Sequence, residues 1–89
     1  MKIQIEQSHI DRSKKLIDQG RIWSEVNPWA LVMKDSLHRY VSVLPYSTFY
    51  MKSSGEAIVR ANPKNLIKFL ERSKQNLKVN PITVDINWF

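Results

Sequence analysis

Lys64, Lys68 and Arg72 stand four residues apart, a spacing that stacks three cations along one face of an α-helix. The chemistry such a row offers is anion binding: ammonium and guanidinium groups facing phosphate oxygens, with no covalent bond made or broken. Leu66 and Leu70 fall nearly opposite at about 100° per residue, so one helix can bury one side and charge the other. From Arg60 to Lys78 six residues are basic and one, Glu71, is acidic. A merely solvated face usually mixes signs, and like charges at this spacing cost a few tenths of a kcal/mol per pair. A phosphate-bearing ligand would offset that cost. A plain solvated face is the alternative reading.

Aromatic side chains are the natural companions of such a row, because bases stack on rings beside basic grooves. Trp29, Phe69 and Trp88 lie in core-facing patterns and read as packing. Tyr46 and Tyr50, around a proline-broken hairpin, are the expected exposed rings. Trp23 falls between helices and is a candidate anchor for a protein partner.

Catalytic constellations are missing from the sequence. With no cysteine, thiolate nucleophiles, disulfides and sulfur-held metals are excluded. His9 and His38 are the two histidines, with no third to make a ligand set and no H-E-x-x-H spacing. His9 is placed for a local hydrogen bond, and His38 for a helix end where a cation is favoured. No serine sits in a G-x-S-x-G elbow. The eight carboxylates are scattered without the pairing that acid–base work needs. Two glycines cannot build a phosphate loop. The expectation is a protein that is not an enzyme and needs no cofactor.

The elements that must position these residues fit into one domain spanning residues 1–89, since a second would lack apolar material for its own core. Hydrophobic residues make up 43% and charged residues 25%, the mix of a folded chain rather than a disordered one. The formal net charge of +6 favours anionic partners. No apolar run reaches the roughly 18 residues of a membrane span, and Met1 to Glu6 alternates too strictly for a signal-peptide core. A cytoplasmic location without membrane contact is expected.

Lys2 to Glu6 reads as a strand. Ser8 is placed to cap a helix that Gly20 ends. Asn27-Pro28 signals a second helix, running through apolar Trp29 to Met33 and stopping near Leu37. Arg39 to Leu44, Thr48 to Lys52 and Ala57 to Arg60 read as strands of antiparallel hairpins. Asn62-Pro63 repeats the cap-and-proline signal and opens a helix to Asn76, with Leu66, Leu70 and Leu77 on one side. Ile82, Val84, Ile86 and Trp88 alternate as a last, half-buried strand. The fold class is α+β: a small antiparallel sheet, built from the terminal strands and central hairpins, with two or three helices on one face.

In order, His9-Ile10, Gly20, Pro28-Trp29-Ala30-Leu31, Val41-Ser42-Val43, Tyr46, Phe69 and Pro81-Ile82-Thr83-Val84 span nearly the whole chain. This succession resembles a group of small bacteriophage and prophage proteins with no settled function. Members of that group often carry cysteines where this chain has Ser24 and Asn27, so no thiol role transfers. The resemblance implies an accessory protein of a phage, acting in the host cytoplasm.

Three functions compete on these grounds. The first is a binder of nucleic acid or a nucleotide signal, using Lys64, Lys68, Arg72 and Arg60 with Tyr46 or Tyr50. The second is an anti-CRISPR-like inhibitor that docks on a host or defence protein through Trp23. The third is a structural role, homo-oligomeric through an exposed edge strand.

Overall fold

The computed structural model describes residues 1–37 and 40–88. The expectations placed on His38, on Arg39 as the start of a strand and on Phe89 lie outside the described residues. The elements run β1 (Lys2–Ile5), α1 (Gln7–Asp18), α2 (Trp23–Val26), α3 (Pro28–Leu37), β2 (Val41–Val43), β3 (Ser47–Met51), β4 (Ala57–Ala61), α4 (Lys64–Lys74) and β5 (Ile82–Asp85). The architecture is α+β. The strands divide into two sheets rather than one: β1 pairs antiparallel with β5, and β2-β3-β4 form an antiparallel meander.

Ser8 does not cap α1. Glu6 takes the N-cap position, and its backbone N–H donates to His9 Nδ1 at 2.9 Å. That bond requires an unprotonated Nδ1, so the neutral ring carries its proton on Nε2, the nitrogen 3.8 Å from Asp35. Arg12 reaches the same Asp35 at 3.2 Å and joins α1 to α3 across their exposed sides. Gly20 ends α1 as the sequence suggests. At φ +88° it occupies the left-handed region, and Arg21 N–H closes onto Leu16 C=O at 3.1 Å.

α3 is the centre of the fold. Pro28 to Met33 are all buried, which is why this stretch is apolar around its whole circumference. Trp29 is fully enclosed and meets Trp88 edge-on, ring centroids 6.0 Å apart. Around it one apolar cluster takes side chains from both sheets, including Ile5, Val41, Tyr50 and Val84, and from α4 through Leu66 and Leu70.

A chain of buried polar groups crosses this core. Trp29 Nε1–H donates to Thr48 Oγ1 at 3.0 Å, and the Thr48 hydroxyl donates to Asn62 Oδ1 at 2.6 Å. Asn62 Nδ2 then donates to the carbonyls of Leu44 and Pro45 at 2.9 and 3.0 Å. Asn62 is thus not the cap of α4. Pro63 holds the N-cap position, and Asn62 locks the β2–β3 turn instead. Among the described residues no buried side-chain N or O lacks a partner.

α4 is shorter than its periodicity suggests. It stops at Lys74, and Asn76 takes the left-handed conformation at φ 58°. Leu77 N–H bonds Arg72 C=O at 2.9 Å, which turns the chain back along the helix. Leu77 therefore leaves the leucine side and is 44% exposed. Among the described residues no helix is long and apolar enough to cross a membrane.

Candidate functional site

α4 buries Leu66, Phe69 and Leu70 and leaves Lys64, Lys68 and Arg72 exposed. None of these three cations lies within 4.0 Å of a carboxylate among the described residues; ion pairing there is confined to Met1, Arg12 and Lys52. The row therefore makes no direct ion pair among the described residues, and Glu71 is the acid that lies beside it.

The segment beyond α4 makes Lys68 and Arg72 part of one wall of a groove, with Lys64 outside its lining. After the Asn76 reversal, residues 78–83 run back beside α4, held by two side chains seven residues apart. Asn65 Nδ2 donates to Thr83 C=O at 2.9 Å. Arg72 donates through Nε and Nη2 to Lys78 C=O at 3.1 and 2.9 Å. Between these struts lies Lys68. The groove is shallow and open, with a volume of about 360 Å³, Lys68, Arg72 and Lys78 as its charged lining and Asn65 and Asn80 as its neutral polar groups. No acidic residue lines it. Glu71 instead borders the adjoining depression, with Lys68, Arg72 and Gln75.

The bond to Lys78 C=O fixes the Arg72 guanidinium plane without consuming its charge. An anion can still approach the remaining N–H groups, and the two lysines bring strongly hydrated point charges to the same place. The arrangement can bind and orient phosphate or carboxylate groups. No group of three metal-ligating side chains occurs among the described residues.

The other expected site residues are not gathered here. Arg60 is exposed on β4, and Tyr46, 66% exposed, sits at the β2–β3 turn; neither lines the groove. Tyr50, expected to be exposed, is buried at 3%. Its position opposite Val41 in the β2–β3 ladder turns the ring into the core, and its hydroxyl donates to Trp88 C=O at 3.4 Å. Trp23 does not lie in a loop but begins α2. It is half-buried, donates Nε1–H to Ser73 Oγ at 3.2 Å, and carries Lys74 Nζ 5.7 Å from its ring centre. The ring is engaged with α4 of its own chain.

Lys78 and Asn80 are the groove residues that helical spacing does not reveal, since they lie beyond the helix. Gln75-Asn76-Leu77 is the signal that finds them: an asparagine after the last turn tolerates the left-handed conformation and sends the chain back. Compared with protein-family models, curated proteins and solved structures, the chain matches none.

Proposed function

We propose that this protein is a non-catalytic binder of nucleic acid, gripping the phosphate backbone with Lys64, Lys68, Arg72 and Lys78. One observation carries the reading: Lys68, Arg72 and Lys78 converge on a groove that no acidic side chain lines. Two further features support it. Lys64 opens α4 with no acid in the first turn, against the preference of a helix N-terminus for negative charge. The fold gains nothing from a lysine there, whereas a polyanion would. The row from Lys64 to Arg72 also extends about 12 Å along the helix, which suits successive phosphates better than a single nucleotide.

The phage-type resemblance gives this reading a setting, an accessory protein working in the host cytoplasm. Inhibition of a host or defence protein is the competing role, and Trp23, its expected anchor, is occupied within the chain.

Fluorescence anisotropy with labelled oligonucleotides tests the proposal. If about four phosphates are neutralised on duplex DNA, log affinity falls against log salt with a slope near −3.6. The double variant Lys68→Gln/Lys78→Gln lowers that slope by about 2 units with the fold intact by circular dichroism. A flat salt response, or unchanged binding by the double variant, retires the proposal; binding of mononucleotides alone replaces nucleic acid with a nucleotide signal.

A further inference from the structure

Among the described residues β4 pairs with β3 on one side only. The phase of that ladder comes from its two ends, where Asn62 N–H donates to Tyr46 C=O at 2.9 Å and Lys52 N–H to Glu56 C=O at 2.8 Å. Hydrogen-bonded pairs alternate along an antiparallel ladder, so Arg60 with Thr48 and Ile58 with Tyr50 are the bonded pairs between them. Ala57, Val59 and Ala61 then turn both N–H and C=O outward, and all three are exposed.

Open edges of this kind are normally shortened, bulged, broken by proline or covered. The remaining strands obey that rule in part: β2 has three residues, and Asn65 occupies the Thr83 carbonyl of β5. β4 is five residues of Ala-Ile-Val-Arg-Ala with one charge, and the central Val59 is 65% exposed.

We propose that β4 is the contact between two copies of this chain, paired antiparallel about a two-fold axis at Val59. The outward groups dictate the register. With Val59 opposite itself, Ala57 faces Ala61 of the second copy, and every outward N–H and C=O of these three residues finds a partner. Sliding the strands by two residues brings either Pro63, which has no N–H, or the turn at Gly55 into the ladder. In the symmetric register Arg60 lies on the diagonal from the second copy's Glu56, at about 7–8 Å between strand positions and within reach of an arginine. Glu56 holds Lys52 at 3.6 Å while largely exposed, so it has room for a second cation. The two arginines share the other diagonal, and each swings toward the acid. This charge match, made twice by the symmetry, selects a second copy over an arbitrary extended peptide.

Dimerisation through β4 is independent of nucleic-acid binding, and salt separates the two. Salt screens both the repulsion between two copies of charge +6 and the exposed Glu56–Arg60 contacts, so the dimer responds weakly, whereas a polyanion complex loosens steeply. Sedimentation of the full chain from micromolar to millimolar concentration reads the association, with a dimer expected at the upper end. Val59→Pro removes an outward N–H that no bond among the described residues uses, so the variant keeps its circular dichroism and sediments as a monomer. Because the chain has no cysteine, Val59→Cys is a single-site probe. Bonded cross-strand Cα atoms lie about 5.5 Å apart, inside the disulfide range, so mild oxidation links Val59→Cys at least ~10-fold faster than Ala57→Cys. A wild-type monomer at millimolar concentration overturns the proposal. So does a dimer that survives Val59→Pro, or equal cross-linking of the two cysteine variants.

Discussion

At Asn27-Pro28 the asparagine Oδ1 accepts the Ala30 N–H at 2.8 Å, its backbone carbonyl accepts Leu31 N–H at 3.0 Å, and proline is the first residue of α3. At Asn62-Pro63 the same dipeptide also precedes an amphipathic helix, yet the asparagine side chain faces the other way. Its N–H belongs to the sheet, bonded to Tyr46 C=O, so the chain is still in β conformation when it reaches the helix signal. Proline takes the cap position at φ −61°, ψ 156°, and Ile67 N–H makes the first helical bond to its carbonyl. Freed from capping, Asn62 bonds Thr48 and the turn carbonyls. Local preference thus proposes two caps, and the pull of a neighbouring ladder converts one into a clamp.

Three substitutions would break or sharpen that contrast. The largest effect is expected from Thr48→Val, which keeps the shape but leaves Trp29 Nε1–H without an acceptor and Asn62 Oδ1 without a donor in the core. At ~1–3 kcal/mol for each of these two stranded buried groups, thermal denaturation should show a loss of about 2–6 kcal/mol. Asn62→Ala should come next, near 2–3 kcal/mol, because the Leu44 and Pro45 carbonyls are only partly buried and can recruit water. Asn27→Ser should cost least, about 1 kcal/mol, because serine also caps helices and only the 3.2 Å bond to Val43 C=O is lost outright. If chemical denaturation ranked Asn27→Ser above Asn62→Ala, the cap would be the stronger device and the clamp a secondary contact.

Much of this architecture is legible in the sequence. Alternation locates β1, β3 and β4 to within a residue or two and the start of β5, which ends at Asp85 rather than running on to Trp88, and the apolar run after Pro28 identifies the central helix. Inward alternation even continues past β5, for Ile86 is buried and Trp88 packs against the core. Other features depend on contacts that no local pattern encodes. α2 is a single turn without a side-chain cap, too short for periodicity to register. The split into two sheets depends on which strands meet, not on what each strand is. Tyr50 looks exposed beside a proline until its register with Val41 is known. In the groove, Lys68 and Arg72 are given by helical spacing, whereas Lys78 enters only because Asn76 reverses the chain.

Among the described residues β1 and β5 have only each other as hydrogen-bonded strand partners, joining Lys2 to Asp85 and Ile5 to Ile82. Neither strand can peel away alone, since lifting one strips the other of its ladder. Loosening at the front of the chain therefore releases β5 and, with it, the Thr83 carbonyl that Asn65 uses to hold the basic groove together. A protease nick far from the cationic row would thus be felt there, as a loss of shape rather than of charge.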